Sequence, residues 1–76
     1  MEFTIVLECD MEPGDVTDFI ADCQQRFPGL IAEHFHGPEF YFTGTEQVLR
    51  DFILNYYNVF ATEKDVQYYF NMHMVK

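Results

Sequence analysis

Apolar and polar residues alternate near the start of the chain and then change to a helical spacing. The alternation from Phe3 to Cys9 has the period of two that is typical of a β-strand. Pro13-Gly14 breaks the chain, and Asp15 follows as a residue type that caps helices. A single helical stripe comes next, formed by Val16, Phe19, Ile20, Cys23 and Phe27. Pro28-Gly29 ends this predicted helix.

Two short runs rich in aromatic residues predict a β-hairpin in the middle of the chain. The runs extend from Leu30 to His36 and from Glu39 to Thr43. Gly37-Pro38 lies between them, and glycine at the first loop position suits a two-residue type II′ turn. A loop of this length pairs Phe35 with Phe40 across the hairpin.

The last third of the chain predicts one more helix and one more strand. Thr43-Gly44-Thr45-Glu46 has the T-x-x-E pattern of a capping box. The helix after it has an apolar face formed by Val48, Leu49, Phe52, Ile53 and Tyr56. Asn58 to Asp65 is predicted as a loop, and the alternation from Val66 to Val75 predicts the last strand.

The predicted order of strand, helix, strand, strand, helix, strand is that of a ferredoxin-like α+β fold, βαββαβ. We expect a four-stranded antiparallel sheet with two helices on one face and with the first and third strands in the middle. At 76 residues, the chain is expected to form a single domain, 1–76, because a domain usually needs on the order of 100 residues.

The hairpin pairing predicts which side chains face the helices. The inward set is expected to be Ile31, Glu33, Phe35, Phe40 and Phe42. The open sheet face is expected to carry Thr4, Val6, Glu8, His34, His36, Glu39, Tyr41, Gln67, Tyr69, Asn71 and His73. A hairpin loop of odd length would reverse this assignment. A face of this composition suits a protein contact or a self-association surface, such as that of a homodimer, better than RNA.

The net charge of the chain indicates which kinds of partner it can bind. The chain has 13 acidic and four basic residues, a net charge of −9, and 18% aromatic residues. Nucleic-acid binding depends on Lys and Arg that neutralise phosphates, so direct nucleic-acid binding is not expected, nor is binding to anionic membranes. The charge favours a basic protein surface as partner. The alternative is that acidity only keeps an aromatic-rich domain soluble.

Six of the acids fall in one short stretch: Glu8, Asp10, Glu12, Asp15, Asp18 and Asp22. On the first helix, Asp15 to Asp22 would span about 10 Å at a rise of about 1.5 Å per residue. That charge density is comparable to the spacing of about 3.4 Å between phosphates of one DNA strand. The row is therefore the candidate partner-binding site, as a nucleic-acid mimic. The alternative is a solvated helix face, since early acids also suit a helix N-terminus.

Motifs for catalysis, metals and targeting are absent from the sequence. It has no Gly-rich phosphate loop, no G-x-S-x-G and no HExxH, so we expect no enzyme and no cofactor. His34 and His36 could hold a metal weakly, but exposed polar strand residues are the better interpretation, so no metal is expected. Cys9 and Cys23 form no CxxC motif. Without a basic N-terminal leader or a long apolar run, a cytoplasmic location is expected.

The turn Met11-Glu12-Pro13-Gly14-Asp15-Val16 resembles the turn that opens the first helix of ACT regulatory domains. The resemblance implies a small-ligand-binding or dimerisation module whose ligand contacts Gly14 and Asp15. Size and charge also resemble virus- or plasmid-encoded inhibitors of host enzymes that handle nucleic acids.

Three hypotheses follow from these features. The first is a non-enzymatic inhibitor or modulator that binds a basic protein through its acidic surface. The second is an ACT-like module. The third is an assembly protein that pairs through the edge of its last strand, from Tyr68 to Val75.

Overall fold

The structure, a computed structural model, describes residues 1–75 of the chain. Its regular elements are β1 Glu2–Glu8, α1 Val16–Arg26, β2 Ile31–His36, β3 Glu39–Thr45, α2 Glu46–Phe52, α3 Glu63–His73 and β4 Met74–Val75. A 3₁₀ turn, Pro13–Asp15, leads into α1, and a π-helical turn, Ile53–Tyr57, continues α2. No helix among the described residues has the length and apolar character needed to cross a bilayer.

Three full-length strands form an antiparallel sheet, with β3 between β2 and β1. β4 adds to the free edge of β1 with only two residues, which pair with Thr4 and Ile5. The chain is therefore an α+β protein whose sheet is three-stranded apart from this short edge addition. The class α+β agrees with the sequence, but the arrangement of elements does not.

The predicted ferredoxin-like βαββαβ fold, with four strands and two helices, is wrong, because the segment predicted as the last strand is the helix α3. A capping box starts α3: the Asp65 N–H donates to the Thr62 hydroxyl at 3.3 Å, and the Thr62 N–H donates to the Asp65 carboxylate at 2.9 Å. Val66 and Phe70, one helical turn apart, are both buried against the sheet layer. Capping and burial together favour the helix over the strand.

The T-x-x-E capping box predicted for the second helix is also displaced. Thr43 lies within β3, and Thr45 is the residue that caps α2. The Thr45 hydroxyl accepts a hydrogen bond from the Val48 N–H at 3.3 Å. The apolar face predicted for this helix is confirmed, since Leu49, Phe52 and Ile53 are all buried.

The β2–β3 hairpin has the predicted two-residue loop but a different register. His36 pairs with Glu39 across Gly37-Pro38, and Gly37 has a positive φ of 56°. A β-bulge at Phe35 then shifts the pairing, so that His34 rather than Phe35 lies opposite Phe40. One extra residue in a strand reverses the face of every residue beyond it.

This bulge corrects the predicted faces of β2. Phe35 and Ile31 were expected to face the helices, but they lie on the open side of the sheet, 52% and 47% exposed. Glu33 was expected to point inward, but it is exposed and pairs with Tyr41. Ala32 takes the buried position in the middle of β2.

All three helices pack on the same face of the sheet. Each helix packs one phenylalanine ring against an inward-facing phenylalanine ring of the sheet. The ring centroids are 5.2 Å apart in Phe19–Phe40, 4.6 Å in Phe52–Phe42 and 6.2 Å in Phe70–Phe3. The buried core consists of Ile5, Leu7, Cys23, Leu30, Ala32, Phe40, Phe42, Leu49, Phe52, Ile53, Val66 and Phe70. Within residues 1–75, the opposite face of the sheet carries no helix.

One arginine fastens α3 to α2. The Arg50 guanidinium donates to Glu46 at 2.8 Å, to Glu63 at 3.0 Å and to the Gln67 side-chain carbonyl at 2.8 Å. Its carbon Cζ lies 5.4 Å from the centre of the Phe70 ring. Glu63, Gln67 and Phe70 converge on one arginine because they lie on one face of a helix.

The outer edge of β2 is partly closed. The Gln24 side chain of α1 reaches across and accepts a hydrogen bond from the Ala32 N–H at 3.0 Å. Together with the bulge at Phe35, this contact interrupts the free edge of the strand.

Candidate functional site

The acidic row, defined as Glu8, Asp10, Glu12, Asp15, Asp18 and Asp22, extends from the end of β1 into α1. Glu8 ends β1, Asp10 and Glu12 lie in the following loop, Asp15 is the N-cap of α1, and Asp18 and Asp22 belong to α1. All are exposed except Asp22, which is half-buried. The row therefore runs over one end of the molecule and along the outer helix surface.

Hydrogen bonds to backbone carbonyls hold the loop that carries the middle of the row. The Cys9 N–H donates to the Pro38 carbonyl of the hairpin at 2.8 Å. On the other side, the Tyr57 hydroxyl donates to the Glu8 carbonyl at 3.2 Å. The Asp15 N–H donates to the Glu12 carbonyl at 2.9 Å and closes the turn before α1.

Asp22 differs from the rest of the row because its carboxylate is used inside the fold. The Tyr56 hydroxyl donates to it at 2.7 Å, and the Arg26 guanidinium donates at 3.0 Å. These two hydrogen bonds lower the pKa of Asp22 below its ordinary value. Burial and the bond to Asp22 raise the pKa of Tyr56 to about 12, so the phenol stays the donor. Asp22 thus ties α1 to the π-helical turn.

The other five acids of the row have no basic partner within residues 1–75. Both arginines are taken up elsewhere, Arg26 by Asp22 and Arg50 by Glu46 and Glu63. A further contact joins the His36 ring to Glu39 at 3.7 Å, which is an ion pair only when the imidazole is protonated. The negative potential of the row is therefore not neutralised by these ion pairs.

The open sheet face carries a second feature, an aromatic patch defined as Val6, Ile31, Phe35 and Tyr41. The Phe35 and Tyr41 rings are stacked, with centroids 5.1 Å apart and an interplanar angle of 16°. Val6 pairs with Tyr41 across the β1–β3 ladder, on the side away from the helices. Beside the patch, the Thr4 and Thr43 hydroxyls form a hydrogen bond with each other, with their oxygens 2.9 Å apart. Glu8, Glu33 and Glu39 flank it in the strand register.

Of the residues predicted for the open face, those on β1, β3 and the end of β2 share the face of Tyr41 in the strand register: Thr4, Val6, Glu8, His36 and Glu39. The prediction is wrong for His34 and for the residues of α3, including Gln67. His34 pairs with the inward-facing Phe40, and its ring lies 4.9 Å from that of Phe40. Tyr69 belongs to α3 and contacts the Tyr57 ring at 5.8 Å. Asn71 also lies in α3, where its side-chain oxygen accepts from the Gln67 amide at 3.3 Å. His73 is the last residue of α3, and its side chain lies outside the described part of the structure.

The two alternative hypotheses lose the structure on which they depended. The ACT resemblance relied on the βαββαβ order, which the helix α3 overturns. A shallow groove lies beside the Pro13–Asp15 turn, but neither Gly14 nor Asp15 lines it; its walls are Asp10, Met11, Pro13, Val16, Thr17, His34, Gly37 and Pro38. The edge-strand hypothesis fails because Tyr68 to His73 is helical.

The thiols and the histidines form no reactive centre in the described residues. Burial raises the pKa of the Cys9 thiol to about 12 and that of Cys23 to about 11, which keeps both in the unreactive protonated form at neutral pH. Within residues 1–75, no group of three His, Cys, Asp or Glu converges on a common point as metal ligands would.

Two residues that shape the candidate site could not be predicted from the sequence. Tyr56 was assigned only to an apolar helix face, yet its hydroxyl bonds to Asp22, 34 positions away. Phe35 was placed in the core because the bulge that exposes it has no signature in the sequence. No family model, no curated protein and no solved structure matches this chain. The function is therefore inferred from the geometry.

Proposed function

We propose that this chain is a small, non-enzymatic protein-binding domain that inhibits or modulates a basic partner through its acidic row. One observation carries the proposal: five exposed acids of the row are without an ion pair in the described residues, while both arginines bind other acids. An unneutralised surface of this kind attracts a positively charged partner over long distances. A cytoplasmic location stays a prediction.

The row also has the charge density to imitate a nucleic-acid backbone. Asp15 and Asp18 lie one helical turn apart, about 5 Å along the axis at about 1.5 Å per residue. Phosphates of a single DNA strand follow one another at about 3.4 Å. The partner that fits such a surface is a host protein that handles nucleic acids. Imitating a nucleic acid suits an inhibitor encoded by a virus or a mobile element. A viral or mobile-element origin of this chain stays a prediction.

A charge reversal confined to the exposed part of the row tests the proposal. The variant Asp15→Lys with Asp18→Lys reverses two carboxylates and leaves Asp22, which bonds to Tyr56, in place. Its matched control is Glu2→Lys with Asp51→Lys, which makes the same change of net charge outside the row. Immobilised wild type and variants are incubated with host lysate at low and high salt, and captured basic proteins are quantified.

We expect little capture by the row variant or at high salt, and unchanged capture by the control. Salt ions screen the attraction between the row and a basic partner, and the control keeps the carboxylates of the row. Excess duplex DNA should release the same proteins if the row occupies their nucleic-acid site. Equal capture by the row variant and the wild type contradicts the proposal. Release by salt without release by DNA would retain the acidic contact and reject the mimicry.

A further inference from the structure

The chain's own arginines show how this fold holds a guanidinium group. Arg26 has its Cζ 5.5 Å from the centre of the Tyr56 ring and donates to Asp22 at 3.0 Å. Arg50 is placed in the same way, 5.4 Å from the Phe70 ring, with glutamate acceptors at 2.8 and 3.0 Å. In both cases an aromatic ring contacts the cation while a carboxylate accepts its N–H groups, which suits arginine better than lysine.

The open sheet face has the same two components without an arginine. Phe35, 52% exposed, is stacked on Tyr41. Glu33 lies directly opposite Tyr41 in the β2–β3 register, where paired side chains are about 5 Å apart at Cβ. Neither Arg26 nor Arg50 reaches this face, since both bind carboxylates of the helices. The exposed Phe35 ring, the half-buried Tyr41 ring and the exposed Glu33 side chain thus lie together, with the His36 ring 4.2 Å from that of Phe35.

We propose that this part of the open face binds an arginine side chain of a protein partner, with the guanidinium against the Phe35–Tyr41 pair and Glu33 as its acceptor. The inference rests on the proposed function, because it specifies the chemistry of the basic partner. Charge complementarity excludes the other occupants. A second copy would oppose its own Glu8, Glu33 and Glu39 to the same residues, and an RNA strand would oppose phosphates to them.

The test compares arginine with lysine, because a ring beside a carboxylate favours the planar guanidinium over the ammonium more than carboxylates alone do. A short arginine homopeptide and a lysine homopeptide of the same length are titrated into the ¹⁵N-labelled protein, and affinities are taken from the amide shifts. The variants are Phe35→Ala, Glu33→Gln and the matched control Phe60→Ala. Phe60 lies in the α2–α3 loop and is 92% exposed, so its removal makes the same chemical change away from the sheet.

We expect the wild type to prefer the arginine peptide by up to about fivefold, the full size of a cation–π contact at an exposed site. The amide shifts should centre on Ile31 to Tyr41. Phe35→Ala and Glu33→Gln should each remove the preference, and Phe60→Ala should keep it. Glu33→Gln provides the result if Phe35→Ala disturbs the hairpin, which far-UV circular dichroism would show.

Three outcomes in the wild type and the single variants would overturn the inference. These are equal affinity for the two peptides, a preference that survives Glu33→Gln, and a preference that only Phe60→Ala removes. The double variant Asp15→Lys with Asp18→Lys separates this site from the acidic row. If that variant keeps the arginine preference although the lysate experiment fails, the open-face site stands and the function proposed for the row does not. Loss of the preference in this variant would contradict the open-face site.

Discussion

Replacing Arg50 by alanine should weaken the docking of α3 more than any comparable change at an exposed charge. Its contacts with Glu46, Glu63 and Gln67 each contribute about 0.2–1 kcal/mol, since the partners are partly exposed. The Phe70 ring contact contributes about 0.5–1 kcal/mol. We expect Arg50→Ala to lower the free energy of unfolding by about 2 kcal/mol, and the melting temperature by roughly 8–16 °C.

Urea and thermal unfolding, followed by circular dichroism, measure this loss. Arg50→Lys keeps the charge but replaces the planar fork by a point charge, so about half of the loss should remain. Arg26→Ala is the matched control, because Arg26 also bonds to a carboxylate and lies over a ring but is largely exposed, and its loss should be smaller. If Arg50→Ala and Arg26→Ala destabilise equally, the convergence of Glu63 and Gln67 on Arg50 is refuted.

Two further predictions concern a turn and a cap. Gly37→Ala places a Cβ on a residue with a φ of 56° and should lower the free energy of unfolding in urea by about 1 kcal/mol. Gly14→Ala is the control and should be nearly neutral, because Gly14 has open space around it and no positive φ. Equal effects would contradict the turn geometry. The hydrogen bonds from the Thr62 N–H and hydroxyl lower the pKa of Asp65 below its ordinary value of 3.8. The stabilisation by the Asp65 carboxylate should therefore be complete above that pH and be lost as the pH falls through the lowered pKa. In a plot of the urea unfolding midpoint against pH, Asp65→Ala should flatten the slope in this acidic range. An unchanged slope would contradict the cap.

The sequence predicted the elements whose periodicity allowed one interpretation. β1, α1 and α2 each combine a clear period with a capping or breaking residue at an end. The segment from Val66 to Val75 allows two interpretations. Its apolar and polar residues alternate as in a strand, but Val66 and Phe70 are also one helical turn apart. Its aromatic and β-branched residues favour a strand locally. The residues that decide for the helix, Thr62 and Asp65, lie upstream, in the stretch predicted as a loop.

The candidate site was predictable where it depends on composition and not where it depends on tertiary contacts. The position of the acidic row follows from residue numbers alone. That Asp22 is held by Tyr56 follows only from the packing of α1 against the π-helical turn. In the same way, the aromatic patch required the bulge at Phe35, which changes the face of a residue without changing any local preference.

The interrupted edge of β2 has a consequence for how this protein behaves when concentrated. Regularly spaced N–H and C=O groups on a free strand edge recruit extended chains and start aggregates. On β2, the Ala32 N–H is occupied by Gln24, and the bulge breaks the spacing that an added strand would need. The sheet can therefore keep one whole face exposed to a partner and still resist growing by strand addition at this edge.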